Sequence, residues 1–117
     1  MKSLYKIASV RHGLNGLKIV WREEWHFSRQ VGLVILMLGV AAYLRPSATE
    51  FLLLLFACCT ALASELINTA IEDTCNRIEP NHDERIGAIK DIAQSVVLVA
   101  SFPAIAIFAW ILYSSLL

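Results

Sequence analysis

The chain has 117 residues, of which 57% are hydrophobic, with a mean hydropathy of +0.61 and ten basic against ten acidic residues. That length allows one domain and cannot hide long apolar runs in a soluble core, so the composition is that of a membrane protein. A net charge of zero removes any bulk electrostatic case for nucleic-acid binding, and three cysteines without a CxxC pair set up no disulfide or zinc framework.

Residues 3–22 read as an amphipathic helix. Val10, Leu14, Leu17 and Trp21 share one face, with Leu4 and Ile7 near it, and Arg11, Asn15, Lys18 and Arg22 share the next. An apolar stripe beside a basic one suits a helix lying on an anionic membrane surface; the alternative is a soluble helix packed on the rest of the domain. The opening MKSLYKIASVRHG carries basic residues but no apolar run, so it is not expected to act as a cleavable signal peptide. Trp25, His26, Phe27 and Arg29 then form an interfacial stretch, and the surface element is taken to end at residue 28.

Three membrane segments follow, expected over 29–45, 50–77 and 88–117. The first is the weakest: Gln30 to Leu44 is uncharged, 15 residues, or about 22 Å of helix against a core of about 30 Å. It suffices if Arg29 and Arg45 snorkel outward, or if Phe27 upstream is included. RPSATE makes a tight turn, and the second segment runs from Phe51 through FLLLLFACCTALAS into ELINTAIEDTCN before Pro80 and a polar loop. The third is charge-free from Ile92 to Leu117, and its Ala100, Ser101, Ala104, Ala106 and Ala109 permit close helix approach. Six of the ten basic residues lie at or before Arg29 and three in the second loop. The positive-inside rule therefore puts the N-terminus and second loop in the cytoplasm.

The second segment carries the informative residues. Glu65, Asn68, Glu72 and Asn76 recur at helical spacing, a polar seam in an apolar helix, with Thr69 at its edge. Intramembrane carboxylates are costly and usually functional. Asn68 alone would equally serve as interhelical glue, and Lys90 and Asp91 as cap and anchor of the third helix. On the cytoplasmic side Glu24, Glu72 and Lys90 nevertheless come from three helices to one level. Carboxylates and a lysine at that level suit Mg²⁺ with a nucleotide. Glu65 lies about 10 Å deeper than Glu72 along the helix, where it suits a base facing a lipid hydroxyl. No GxxxxGK[ST] occurs, which excludes a P-loop enzyme.

ELINTAIE, followed one loop later by IKDIA, resembles the signature of the small integral-membrane lipid kinases of bacteria, the diacylglycerol and undecaprenol kinases. The resemblance runs from about Gly16 to Leu117 and includes Glu24 and Phe27 as an E-x2-F pattern. It implies an all-α membrane fold, a surface helix plus three membrane helices in a trimeric bundle, forming one lipid kinase domain over 1–117. It further implies Glu65 as catalytic base, Glu24 and Glu72 as metal and nucleotide carboxylates, and Asn68 lining the lipid site. Lys90 and Asp91 fall at ATP-contacting positions. Arg11 is grouped with the lipid contacts and His12 with the nucleotide contacts. The implied activity is ATP- and Mg²⁺-dependent phosphorylation of diacylglycerol, or alternatively undecaprenol, at the bacterial inner membrane.

The chain departs from the family in three places. Tyr5 stands where the family has a basic residue, with Lys6 or Arg11 as substitutes. Asn81, His82 and Asp83 replace a Glu-Tyr-His run, and Gln94 replaces a small residue after the Lys-Asp pair. Two readings from other classes compete: a proton-coupled transporter built on Glu65, and a non-catalytic scaffold.

Overall fold

In a computed structural model, which describes the backbone of residues 2–117 and the side chains of residues 6–117, the chain is four helices. They are α1 (Lys2–Glu23), α2 (Trp25–Tyr43), α3 (Ala48–Ile78) and α4 (Glu84–Leu116). The last three are long and apolar enough to cross a membrane, which makes this an all-α membrane protein with one surface helix and three spans.

The expected boundaries move at several ends. The first helix stops at Glu23 rather than 28, because Glu24 adopts an extended conformation (φ −119°, ψ 95°) and the chain restarts as helix at Trp25. The interfacial aromatic residues are therefore the first turn of α2, whose 19 residues reach about 28 Å, close to the thickness of the hydrocarbon core. The span that looked short is completed from its N-terminal side. Phe27 anchors this turn by burial. Helices α3 and α4 begin at Ala48 and Glu84, two and four residues ahead of 50 and 88, because Ser47 and Asp83 cap them earlier than hydropathy suggests.

Helix α1 leaves the bundle. Its apolar stripe stays uncovered by protein: Val10 is 63% and Leu14 61% exposed, with Ile7, Leu17 and Trp21 alongside. That is the surface of a membrane-lying helix and not of one packed into a soluble domain. The position of Leu4 and Tyr5 side chains lies outside the described residues. Only the C-terminal half of α1 approaches the rest, where Gly16 and Val20 face Leu66 and Ala70 of α3.

The turn between α2 and α3 is built from the chemistry of its sequence. Arg45 takes φ 55° just past the end of α2, and Pro46 cannot continue the helix. Ser47 then caps α3 in a reciprocal box: its hydroxyl accepts from Glu50 N at 3.1 Å, and its own N–H donates to Glu50 Oε1 at 2.9 Å. Glu50 Oε2 also accepts from Trp110 Nε1 at 3.0 Å, which ties this turn to α4.

Helices α3 and α4 form the most extensive pair, with α2 packed across them. Ala41, Leu54, Ala57, Cys58, Ala104 and Ile111 are the buried centre. Small residues on all three helices let the backbones approach, as packing in lipid requires. Of the alanines expected to do so in α4, Ala104 is buried, whereas Ala106 and Ala109 face outward.

Towards the α1 end the α3–α4 seam becomes polar. Asn68 Nδ2 donates to Gln94 Oε1 at 3.1 Å, and farther out Lys90 Nζ donates to Asn76 Oδ1. Asn68 is buried at 4% exposure. Gln94→Leu strips that amide of its partner and is expected to cost about 1–3 kcal/mol. Ser47→Ala, at the opposite end, is expected to cost about 1 kcal/mol. Thermal unfolding of the purified protein in detergent checks both.

Candidate functional site

The seam on α3 points in two directions. Asn68 and Asn76 turn to α4 and are engaged by Gln94 and Lys90. Glu65, Thr69 and Glu72 turn towards the N-terminal end of α2. There they line a cavity of about 260 Å³ together with Glu24, His26 and Arg29. Asn68, Gln94, Gln30 and Val97 complete its wall. Three of the carboxylates singled out in the sequence are thus brought to one space, two from α3 and one from the break between α1 and α2.

The break explains why Glu24 is available. It stands at the N-cap position of α2, yet its carboxylate makes no capping hydrogen bond. Its backbone does the structural work instead: Glu24 N donates to Val20 O at 2.8 Å, and Glu24 O accepts from Phe27 N at 3.1 Å. The side chain is left to the cavity, at the end of α2 where the helix dipole favours negative charge.

Glu65 lies deepest and is half-buried, while Glu72 is exposed at the outer side. Asn68 contributes an unusual feature. Its Nδ2 is used by Gln94, but its Oδ1 is buried without a protein partner. A buried acceptor with nothing to accept from is costly, and such atoms mark places where a ligand or water completes the bonding.

Other candidate residues do not line this cavity. Lys90 is held at the α3–α4 seam by Asn76, one helical turn from Gln94 on the same side of α4. Asp91 is exposed, and its carbonyl accepts from Ser95 Oγ at 3.1 Å. Arg11 and His12 sit together with Asn15 and Lys18 on the outer side of α1. Gln94, which replaces a small residue of the family, touches the neighbouring helix through Asn68.

His26, Arg29, Gln30 and Thr69 are wall residues that spacing did not select as site residues. For the three on α2 the available signal was their position in its first two turns, on the side of Glu24. It was masked because aromatic and basic residues at a membrane edge read as anchors. Arg29 places its guanidinium 5.1 Å from the centre of the Trp25 ring, and Trp25 lies 4.2 Å, ring to ring, from His26.

A second space adjoins the first. An apolar groove of about 400 Å³ runs between α2 and α4, lined among others by Val34, Met37, Ile105 and Phe108. Gln30 belongs to the walls of both the groove and the polar cavity. A narrow cleft bounded by Gln30, Ala61, Glu65 and Ser101 lies between them. The Glu65 carboxylate thus stands where an oily channel meets an acidic one.

Comparison with known proteins gives this geometry a family. The family model for prokaryotic diacylglycerol kinase matches residues 11–112. The diacylglycerol kinase of Escherichia coli is 28% identical over 108 residues, covering 92% of this chain and 88% of its own length. That of Haemophilus influenzae is 28% identical over 94 residues, 80% of each chain. That of Helicobacter pylori is 31% identical over 98 residues, 84% of this chain and 75% of its own. The match spans the cavity, the groove and all three membrane helices, and the chain belongs to the prokaryotic diacylglycerol kinase family.

Proposed function

We propose that this protein is an ATP- and Mg²⁺-dependent lipid kinase that transfers the γ-phosphate to the hydroxyl of diacylglycerol, giving phosphatidic acid at the cytoplasmic face of a bacterial inner membrane. The observation that carries the reading is the junction at Glu65, where an apolar groove meets a cavity lined by three carboxylates. A lipid alcohol needs the first and a metal–nucleotide needs the second. The names of the relatives favour diacylglycerol over undecaprenol as the acceptor.

The donor set suits the proposed metal. Glu24, Glu65, Glu72 and the unpartnered Asn68 Oδ1 are hard oxygen atoms. Among the described residues no three acidic, histidine or cysteine side chains close into a ready metal cage. An open, oxygen-only arrangement fits Mg²⁺, which keeps several waters and takes one or two carboxylates plus substrate phosphates. Glu24 and Glu72, at the outer side, would hold it. When bound, it neutralises charge on the phosphate oxygens.

Glu65 is the base in this reading. Its carboxylate accepts the proton of the lipid hydroxyl as that oxygen forms a bond to the γ-phosphorus. The bond from the γ-phosphorus to the bridging oxygen breaks, and the electron pair leaves with ADP. The acyl chains occupy the groove between α2 and α4, which keeps the hydroxyl at the level of Glu65. Lys90, outside the cavity on the seam, meets the more distant phosphates as a point charge. Arg11, His12 and Asp91 lie apart from this centre within one chain. A homotrimer, also part of the proposal, would bring further surfaces to the cavity, and the wide apolar faces of α2 and α4 suit such an assembly.

Mixed micelles offering diacylglycerol or undecaprenol with labelled ATP test the activity. Phosphorylation of diacylglycerol is expected to dominate, and inactivity towards both overturns the kinase reading. Glu65→Gln should lower turnover by at least about 100-fold, the usual scale for losing a general base, with ATP affinity retained. Glu24→Gln and Glu72→Gln should instead raise the Mg²⁺ concentration needed for half-maximal rate. Ile105→Trp, which fills the groove, should raise KM for the lipid and leave that for ATP unchanged.

A further inference from the structure

We propose that Arg29 is a catalytic residue of this site, the cation that meets the transferred phosphoryl group; the inference rests on the kinase reading above. Glu24, Glu65 and Glu72 alone make a space that repels a polyphosphate. Phosphoryl transfer spreads negative charge over three equatorial oxygens, and catalysis is mainly the placing of positive charge against them. Arg29 is the permanently charged cation in the wall of the cavity. Lys90 is not in that wall, and its ammonium is engaged by Asn76.

Three observations bear on Arg29 in particular. It is unpaired although three carboxylates share its cavity: among the described residues the one ion pair is Arg77 with Asp73. Its guanidinium rests on the Trp25 ring at 5.1 Å, a contact that holds the group in place without neutralising it. And side chains on a helix lean towards its N-terminus. Arg29 therefore carries its charge back by a turn, to the level of Trp25. A cation at that level, in the wall it shares with Glu24, Glu65 and Glu72, stands where the γ-phosphate must lie if the lipid hydroxyl is at Glu65.

The guanidinium fork can donate to two phosphoryl oxygens at once, which an ammonium cannot reproduce. Arg29 neither gains nor loses a proton in the step. It binds the terminal phosphate of ATP, tightens as charge develops, and has nothing equivalent to hold in ADP.

The alternative role for Arg29 is a membrane-edge anchor, which lysine fills as well. Arg29→Lys and Arg29→Gln are compared with the parent protein in detergent micelles. Three readouts are needed: turnover on the lipid acceptor, equilibrium affinity for ATP and for ADP, and thermal midpoint. The expected result is a turnover at least tenfold lower in Arg29→Lys at an unchanged midpoint. In Arg29→Gln the preference for ATP over ADP should fall towards one. Lys90→Ala should weaken both nucleotides alike. Parental turnover and ATP preference in Arg29→Lys overturn the inference while the kinase reading stands. A parent protein that phosphorylates no lipid alcohol and does not distinguish ATP from ADP overturns both.

Discussion

A polar group inside an apolar phase must find a partner, and most of this architecture follows from how that demand is met on α3. Glu65, Asn68, Glu72 and Asn76 stand on one stripe of a helix long enough to cross a membrane. Had all four been satisfied by α4, the result would have been a polar zipper holding two helices together. Had none been, the helix would have been too costly to insert. The structure divides them. The two asparagines are engaged across the seam by Gln94 and Lys90, and the two glutamates are left towards α2. The neutral amides serve packing, where net hydrogen bonds are cheap to form. The carboxylates keep an open side, where hydration and counter-charge remain within reach.

The break at Glu24 is the second half of the same arrangement. A continuous helix from Lys2 to Tyr43 would have to present both a surface-lying stripe and a spanning face along one axis. Interrupting it for a single residue separates the two tasks. It also brings Glu24, His26 and Arg29 to the open side of α3 without a loop. The cost is small, because the backbone of Glu24 still bonds to Val20 and Phe27. The carboxylate is free as a consequence. A Ser or Asp at this position would have spent its oxygen on capping α2.

Much of this was legible in the sequence, and the rest was hidden for identifiable reasons. Helical spacing was enough to find the seam, and hydropathy was enough to find three spans. Glu24, Glu65 and Glu72 were grouped in the sequence and line one cavity in the structure, although the reason for Glu24 was its level in the membrane and not the break that presents it. The extent of α2 was misjudged because charge was allowed to end it. Trp25, His26 and Arg29 are helical all the same, since membrane edges tolerate such side chains within a helix. Lys90 was placed near the carboxylates by level alone. Level does not fix azimuth, and Asn76 holds it at the α3–α4 seam, outside the cavity wall. Arg29 was read as an anchor because the sequence shows how far along a helix a cation lies but not which space it faces.

If the proposed kinase activity holds, the division of labour around Glu65 is what lets so small a chain serve two substrates of opposite solubility. Under the kinase reading, one helix, α2, lines both compartments: Val34 and Met37 face the groove, while His26 and Arg29 face the cavity, with Gln30 between. On α3 the same change of surroundings occurs between Ala61 and Glu65, one helical turn. The two helices cross from apolar to polar at the same height, so neither compartment intrudes on the other. A lipid is then held by packing alone, which sets its depth but contributes little directional force. The orientation of the reacting oxygen must come from the few polar atoms at the junction. Gln30, Glu65 and the unpartnered oxygen of Asn68 are those atoms. Under that reading the site demands little of the acceptor beyond a hydroxyl on an apolar body, and much of the phosphate donor, whose charge has to be met by the metal and the cations around the cavity.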